Sequence, residues 1–304
     1  MLMLKPIWLT LMGILLLLGT TACVSGSAEP SMPASADSSG NEPRIVSTTV
    51  AITEIMDALE LDLVGIPTSS KELPERYKDS TPVGNPMSPD LERIRSLHPT
   101  DVLSVTTLQY DLEPKFAGAG ITSDFLNLQS VSDMQQTIRR LGEKYGRAEQ
   151  AAAVTGQIDA RLAEIKQQVK GKRQPTVLIL LGVPGSYLVA TEHSFIGDLV
   201  KQSGGINIVQ GEKVEYLASN TEYLQQANPD IILRAAHGMS EEVVKMFDQE
   251  FQQNDIWKHF NAVKNGRVYD LEERLFGTTA NLAVGEALDE LTGMMYPEIR
   301  KSSE

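Results

Sequence analysis

Three side chains stand where their chemistry would be usable: Met87 in a proline-rich turn, His237 just past an apolar run, and Cys23, the only cysteine, behind an apolar N-terminal stretch. Met87 lies in Gly84-Asn85-Pro86-Met87-Ser88-Pro89, and two prolines with a glycine exclude a helix interior there. A loop stiffened by proline presents a side chain in one place. A thioether held that way either fills an apolar gap or ligates a metal centre. His237 follows the apolar run 231–233 in Arg234-Ala235-Ala236-His237-Gly238. That is the C-terminal end of an expected parallel strand, where ligands of open α/β sheets gather. Its imidazole either caps local structure or ligates a metal. The remaining histidines are scattered: His98 before Pro99 reads as a helix cap, His193 precedes a helix start, and His259 follows Trp257 in an amphipathic segment. A zinc or manganese site needs several His and carboxylate ligands on one ion, which this spacing does not provide. No Gly-x-Ser-x-Gly elbow, HExxH helix or phosphate-binding glycine loop occurs, so hydrolytic and nucleotide-driven chemistry find no support.

The segments that must carry these residues come in a definite order. Lys5, a leucine-rich run over 7–18 and the small residues Gly19-Thr20-Thr21-Ala22 have the order of a secretory signal, predicted over 1–22. The apolar run is shorter than the roughly 20 residues that span a bilayer. Cys23 at this junction resembles the lipid-acceptor site of bacterial lipoproteins, although Thr20 stands where that motif carries leucine. Acylated Cys23 would anchor the chain to the lipid membrane on its extracellular face. Residues 23–43 then form a tether of Ser, Ala, Gly, Pro, Asp and Glu, too poor in bulky apolar groups to fold. With no second cysteine there is no internal disulfide.

From residue 44 onward strand-like runs alternate with helical patterns, at 45–50, 63–67, 102–106, 125–128, 177–181, 187–190, 231–233 and 268–271. This alternation specifies an α/β class with mostly parallel strands. Between two such halves, 132–170 reads as almost unbroken helix with Ser132 as its N-cap and Gly171 and Pro175 as its stop. The expected organisation is an N-terminal α/β lobe over 44–131, an interlobe helix over 132–170 and a C-terminal α/β lobe over 171–304. The stretches 91–103 and 221–233 echo each other: a short helix with Glu92 or Glu222 near its start, a proline seven residues later, then an apolar strand.

With the cysteine junction, the two halves and the strut together, the chain resembles substrate-binding lipoproteins of ABC importers. The subclass is the one with two Rossmann-like lobes joined by one long rigid α-helix. Residues 48–57, 83–92 and Ala236-His237-Gly238-Met239 narrow the likeness to the haem-receptor lipoproteins of the iron-regulated surface determinant system. That resemblance implies a monomeric cell-surface receptor that binds haem b and delivers it to ABC permease subunits for iron acquisition, with an upstream surface haem donor. Met87 and His237 map onto the two axial iron ligands, and Glu92 and Glu222 onto the carboxylates that dock on the permease.

A formal net charge of −13 gives no attraction for nucleic acid or for the haem propionates, so any anion site must be local. Helix N-termini bind anions, and Thr48-Thr49 and Thr68-Ser69-Ser70-Lys71 are the candidates, with Thr49, Ser70 and Lys71 as contacts. Tyr110 and Tyr187, near strand ends, are candidates for stacking on the porphyrin. A ferric-siderophore or cobalamin receptor shares this architecture and is the alternative within binding proteins; a surface haem-processing enzyme is the alternative of another class.

Overall fold

Two separate sheets organise the chain, and both are laid down by apolar runs read directly from the sequence. The computed structural model describes residues 42–218, 224, 226 and 228–300. Cys23, the signal and nearly all of the tether lie outside these residues, as does Glu222. In the first lobe β1 (Ile45–Ser47), β2 (Leu63–Ile66), β3 (Thr81–Pro82), β6 (Asp101–Val105) and β7 (Ser123–Leu126) form an all-parallel sheet in the order β3-β2-β1-β6-β7. A small antiparallel hairpin, β4 (Gly84–Asn85) and β5 (Ser88–Pro89), follows β3. Helix α1 (Val50–Ala58) is capped by the Thr49 hydroxyl and buries Ile52, Ile55 and Met56 with Leu59 beyond its end, the spacing of a core-facing stripe. Helices α2 (Leu91–Ser96) and α3 (Gln109–Gly118) lead into β6 and β7.

In the second lobe β8 (Thr176–Val183), β9 (Ser186–Ala190), β11 (Tyr216–Ala218), β12 (Ile231–Ala236) and β13 (Val268–Leu271) run in the order β11-β9-β8-β12-β13. The short β10 (Ile206–Asn207) also pairs with β8. The pairs β8–β12 and β12–β13 are parallel, and all six residues of β12 are buried, as a strand covered on both faces requires. Helices α6 (Phe195–Gln202), α7 (Ser240–Gln253), α8 (Asn261–Lys264), α9 (Val284–Met295) and α10 (Pro297–Arg300) complete this lobe.

The expected continuous helix over 132–170 is two helices, α4 (Val131–Lys144) and α5 (Ala148–Gln168), packed as a hairpin. Gly146 takes φ 66° in the turn between them, a left-handed helix end that glycine adopts at least cost. Gly142 is the second cause: a Cβ there would sit 2.5 Å from that of Ala151, so the hairpin closes on two small residues. The N-cap is Ser130, whose hydroxyl accepts from Asp133 N–H, not Ser132. Helix α5 remains a long strut, 21 residues or about 30 Å. It packs on α1 of the first lobe and on α6 and α9 of the second.

Candidate functional site

Every strand of the parallel cores sends its chain out at a C-terminal edge, and the predicted residues collect on those exits. Met87 occupies the tip of the β4–β5 hairpin. The Asn85 side chain clamps that tip, its Oδ1 accepting from Met87 N–H at 2.8 Å and Ser88 N–H at 3.3 Å. Gly84 opens the hairpin at φ 95°, where a side chain would be strained. The result is a methionine 67% exposed on a rigid turn. A gap-filling role for it is thereby eliminated.

His237 directly follows β12. Its N–H donates to Gly182 O at 3.0 Å, which fixes the backbone, and its side chain is exposed. The chain then turns through Gly238 and Met239 into α7. Glu273 holds that turn: its carboxylate accepts from Gly238 N–H at 3.1 Å and from the Ser240 hydroxyl. Glu273 lies in the loop after β13, anchored by buried Leu275 and Phe276.

These two loops belong to different lobes, and a path of hydrogen bonds links them. Thr68 N–H, after β2, donates to Gly84 O at 2.8 Å, at the base of the Met87 hairpin. Three residues on, Lys71 Nζ reaches Glu273 O at 3.4 Å. Glu273 in turn holds Gly238, beside His237. The Met87 hairpin and the His237 turn thus stand at C-terminal edges of the two sheets, with Lys71 and Glu273 bonded between the lobes. Lys71 also faces Glu54 of α1, whose carboxyl burial pushes above its usual range while the lysine cation opposes that rise.

Four large apolar side chains are well exposed among the described residues: Met87, Tyr110, Val214 and Met239. Three of them, Met87, Tyr110 (92%) and Met239 (59%), sit on C-terminal-edge loops or at the helix start that follows one. Exposed thioethers and a phenol ring on these loops are side chains suited to a flat apolar ligand.

Other predicted contacts resolve differently. Thr49 is buried at 7% exposure and its hydroxyl caps α1 by accepting from Ile52 N–H. Ser70 and Lys71 are exposed, but the 68–71 segment is a loop and not a helix start; Ser69 Oγ accepts from Lys71 N–H and turns the chain. Tyr187 is half-buried: its ring packs against Phe247 and Trp257 at the margin of the second lobe's apolar cluster, and its hydroxyl donates to Glu250. Glu92 is exposed in the first turn of α2, behind the N-cap Asp90. It borders a shallow cavity of about 640 Å³ with Arg95, His98, Thr100 and Ile121. That cavity adjoins the loops entering β6 and β7, at the edge of the sheet away from Met87. Among the described residues no group of three or more His, Cys, Asp or Glu could hold a bare metal ion.

Met239, Glu273 and Glu54 had no role in the sequence-based reading. A signal for Met239 was present, since it closes the Ala236-His237-Gly238-Met239 stretch; Glu273 becomes visible only when β12 and β13 are paired.

Comparison with known proteins identifies the family. The high-affinity heme uptake system protein IsdE of Staphylococcus aureus strain MRSA252 is 47% identical over 279 residues, 91% of this chain and 94% of that protein. The crystal structure of S. aureus IsdE complexed with heme matches with a TM-score of 0.81 at 49% identity, covering 84% of this chain and 99% of the other. An ABC transporter substrate-binding protein from Listeria monocytogenes EGD-e matches with the same TM-score at 61% identity, covering 84% and 99%. Residues 45–275 match the periplasmic binding protein family model, and with that span, those relatives and the two-sheet α/β architecture, the chain belongs to the periplasmic binding protein family.

Proposed function

We propose that the protein is a haem receptor that delivers its cargo to an ABC permease for iron acquisition. The observation that carries this reading is the hydrogen-bonded path from the Met87 hairpin through Lys71 and Glu273 to the His237 turn. In this reading a soft sulfur from one lobe and an imidazole from the other take opposite sides of one macrocycle, the donor pair suited to six-coordinate haem iron. The exposed Tyr110 ring supplies a surface for the macrocycle. Lys71 and the N-terminus of α1 at Thr49 supply positive potential for the propionates, with Ser70 on the same loop. Glu92 and Glu222 are the carboxylates offered to the permease, and acylated Cys23 is the membrane anchor on the extracellular face.

Titration of the purified protein with haem tests the cargo. A sharp, saturable Soret shift at one equivalent is expected. Saturation by a ferric siderophore or cobalamin, with no Soret change on adding haem, would assign the cleft to the alternative cargo. Incubation of the complex with a reductant and oxygen should leave the haem intact; its breakdown would assign the protein to the haem-processing class.

A further inference from the structure

Four non-glycine residues among those described have positive φ: Glu60, His98, Asn228 and Met239, at 56°, 46°, 41° and 49°. The first two directly follow the C-caps Leu59 and Leu97 of α1 and α2, and Asn228 N–H donates to Leu224 O at a helix end. A left-handed residue closing a helix is ordinary there. Met239 is different, because it opens a helix. At the N-cap of α7 it makes no side-chain cap bond, in a position that favours Ser, Thr, Asp or Asn. A bulky left-handed residue costs free energy, and leaving this side chain 59% exposed returns little of it through burial. The turn is nevertheless held firmly, since Glu273 satisfies the groups on either side, Gly238 N–H and Ser240 Oγ. Strain that the surroundings maintain, beside a ligand-binding group, is a mark of function.

We infer that Met239 is a haem-contacting residue: its thioether packs on the macrocycle from the same bank as His237 and slows release. This rests on the haem reading above. Being two residues from His237 on one turn, Met239 approaches from the imidazole side and does not replace Met87 across the cleft. Its contribution is apolar and polarisable contact, which sulfur makes well with a π surface.

The test uses the full-length protein loaded with haem, with transfer to excess apomyoglobin as the readout. Met239→Ala and Met239→Gly are expected to release haem about tenfold faster, the loss of one side chain's contact, with the Soret and visible bands of the wild type retained. Glycine suits both the left-handed backbone and the N-cap. The melting temperature of haem-free Met239→Gly should therefore equal or exceed the wild-type value. Release within twofold of wild type in both variants overturns the inference, as does faster release accompanied by a lowered melting temperature in Met239→Gly. His237→Ala separates this failure from that of the haem reading: if its spectrum also matches wild type, the cleft reading itself is wrong.

Discussion

Met87 and His237 differ in what holds them, and that difference sets their expected contributions. The Met87 hairpin is a two-residue tip clamped by Asn85, whereas His237 extends a fully buried strand tied to Gly182 and backed by Glu273. Thioether ligation is the weaker bond. Met87→Ala should speed haem loss while keeping a five-coordinate, histidine-ligated spectrum. His237→Ala should lower affinity further and shift the Soret band more; identical spectra for both variants and wild type would reject the axial pair. Both positions were legible because proline and glycine around one, and a strand end before the other, are local signals. Glu273 was not, since its partners lie more than 30 residues away. The packing of Tyr187 on Phe247 and Trp257 was not legible for the related reason that a ring near a strand end leaves its neighbours unspecified in sequence. A second long-range pair carries a pH signature. Burial raises the Glu215 carboxyl above its usual range, partly opposed by the Gln129 amide that donates to it at 2.6 Å. A raised folded-state value favours the protonated form, so its stabilisation is full below the ordinary carboxylate range of about 4 and is lost as pH climbs through the raised value. Relative to wild type, Glu215→Gln should therefore gain stability as pH rises from about 4 through the raised value in paired thermal melts; a pH-independent difference would refute the assignment.

Strands and helices were readable to different depths. The eight apolar runs all contain strands, each pairing in one of the two sheets. The pieces β3, β4, β5, β10 and β11 were not seen, being two or three residues long with no alternation to detect. The α4–α5 break was hidden because Gly142, Gly146 and Gly156 interrupt a helical pattern equally in sequence, although Gly146 alone of the three takes positive φ. Gly84 is the element-level counterpart at the site. At φ 95° a Cβ would lie 2.9 Å from the Asp90 backbone nitrogen, the residue that also caps α2. Gly84→Ala should cost about 1–3 kcal/mol in denaturant unfolding and should also weaken haem retention by displacing Met87. A variant with wild-type stability and retention would show that the hairpin is not preorganised.

The two lobes are not independent bodies hinged on a flexible link. One buried apolar cluster includes Ile52 and Ile55 of α1, Leu141 of α4, Ile158 and Ile165 of α5, Leu199 of α6, Ile179 of β8 and Leu288 of α9, so the core is continuous from one sheet to the other. Polar bonds reinforce the junction: Val131 N–H donates to Asp198 at 2.9 Å and Ala280 N–H to Leu128 O at 2.8 Å. A wide opening would tear apolar surface from this cluster, at about 25 cal/mol for each Å² exposed, and would break the Lys71–Glu273 bond besides. Loading is therefore expected through small adjustments of the edge loops, with the strut unmoved. Spin labels placed one on each lobe, away from the cleft, should report a mean distance change of about 1 Å or less on haem binding. In Lys71→Ala the haem-free distribution should broaden, because the bond across the cleft mouth is gone, and haem should restore it. A shift of many ångströms in the wild type would mean that the shared core opens during transport, and the strut would then be a hinge.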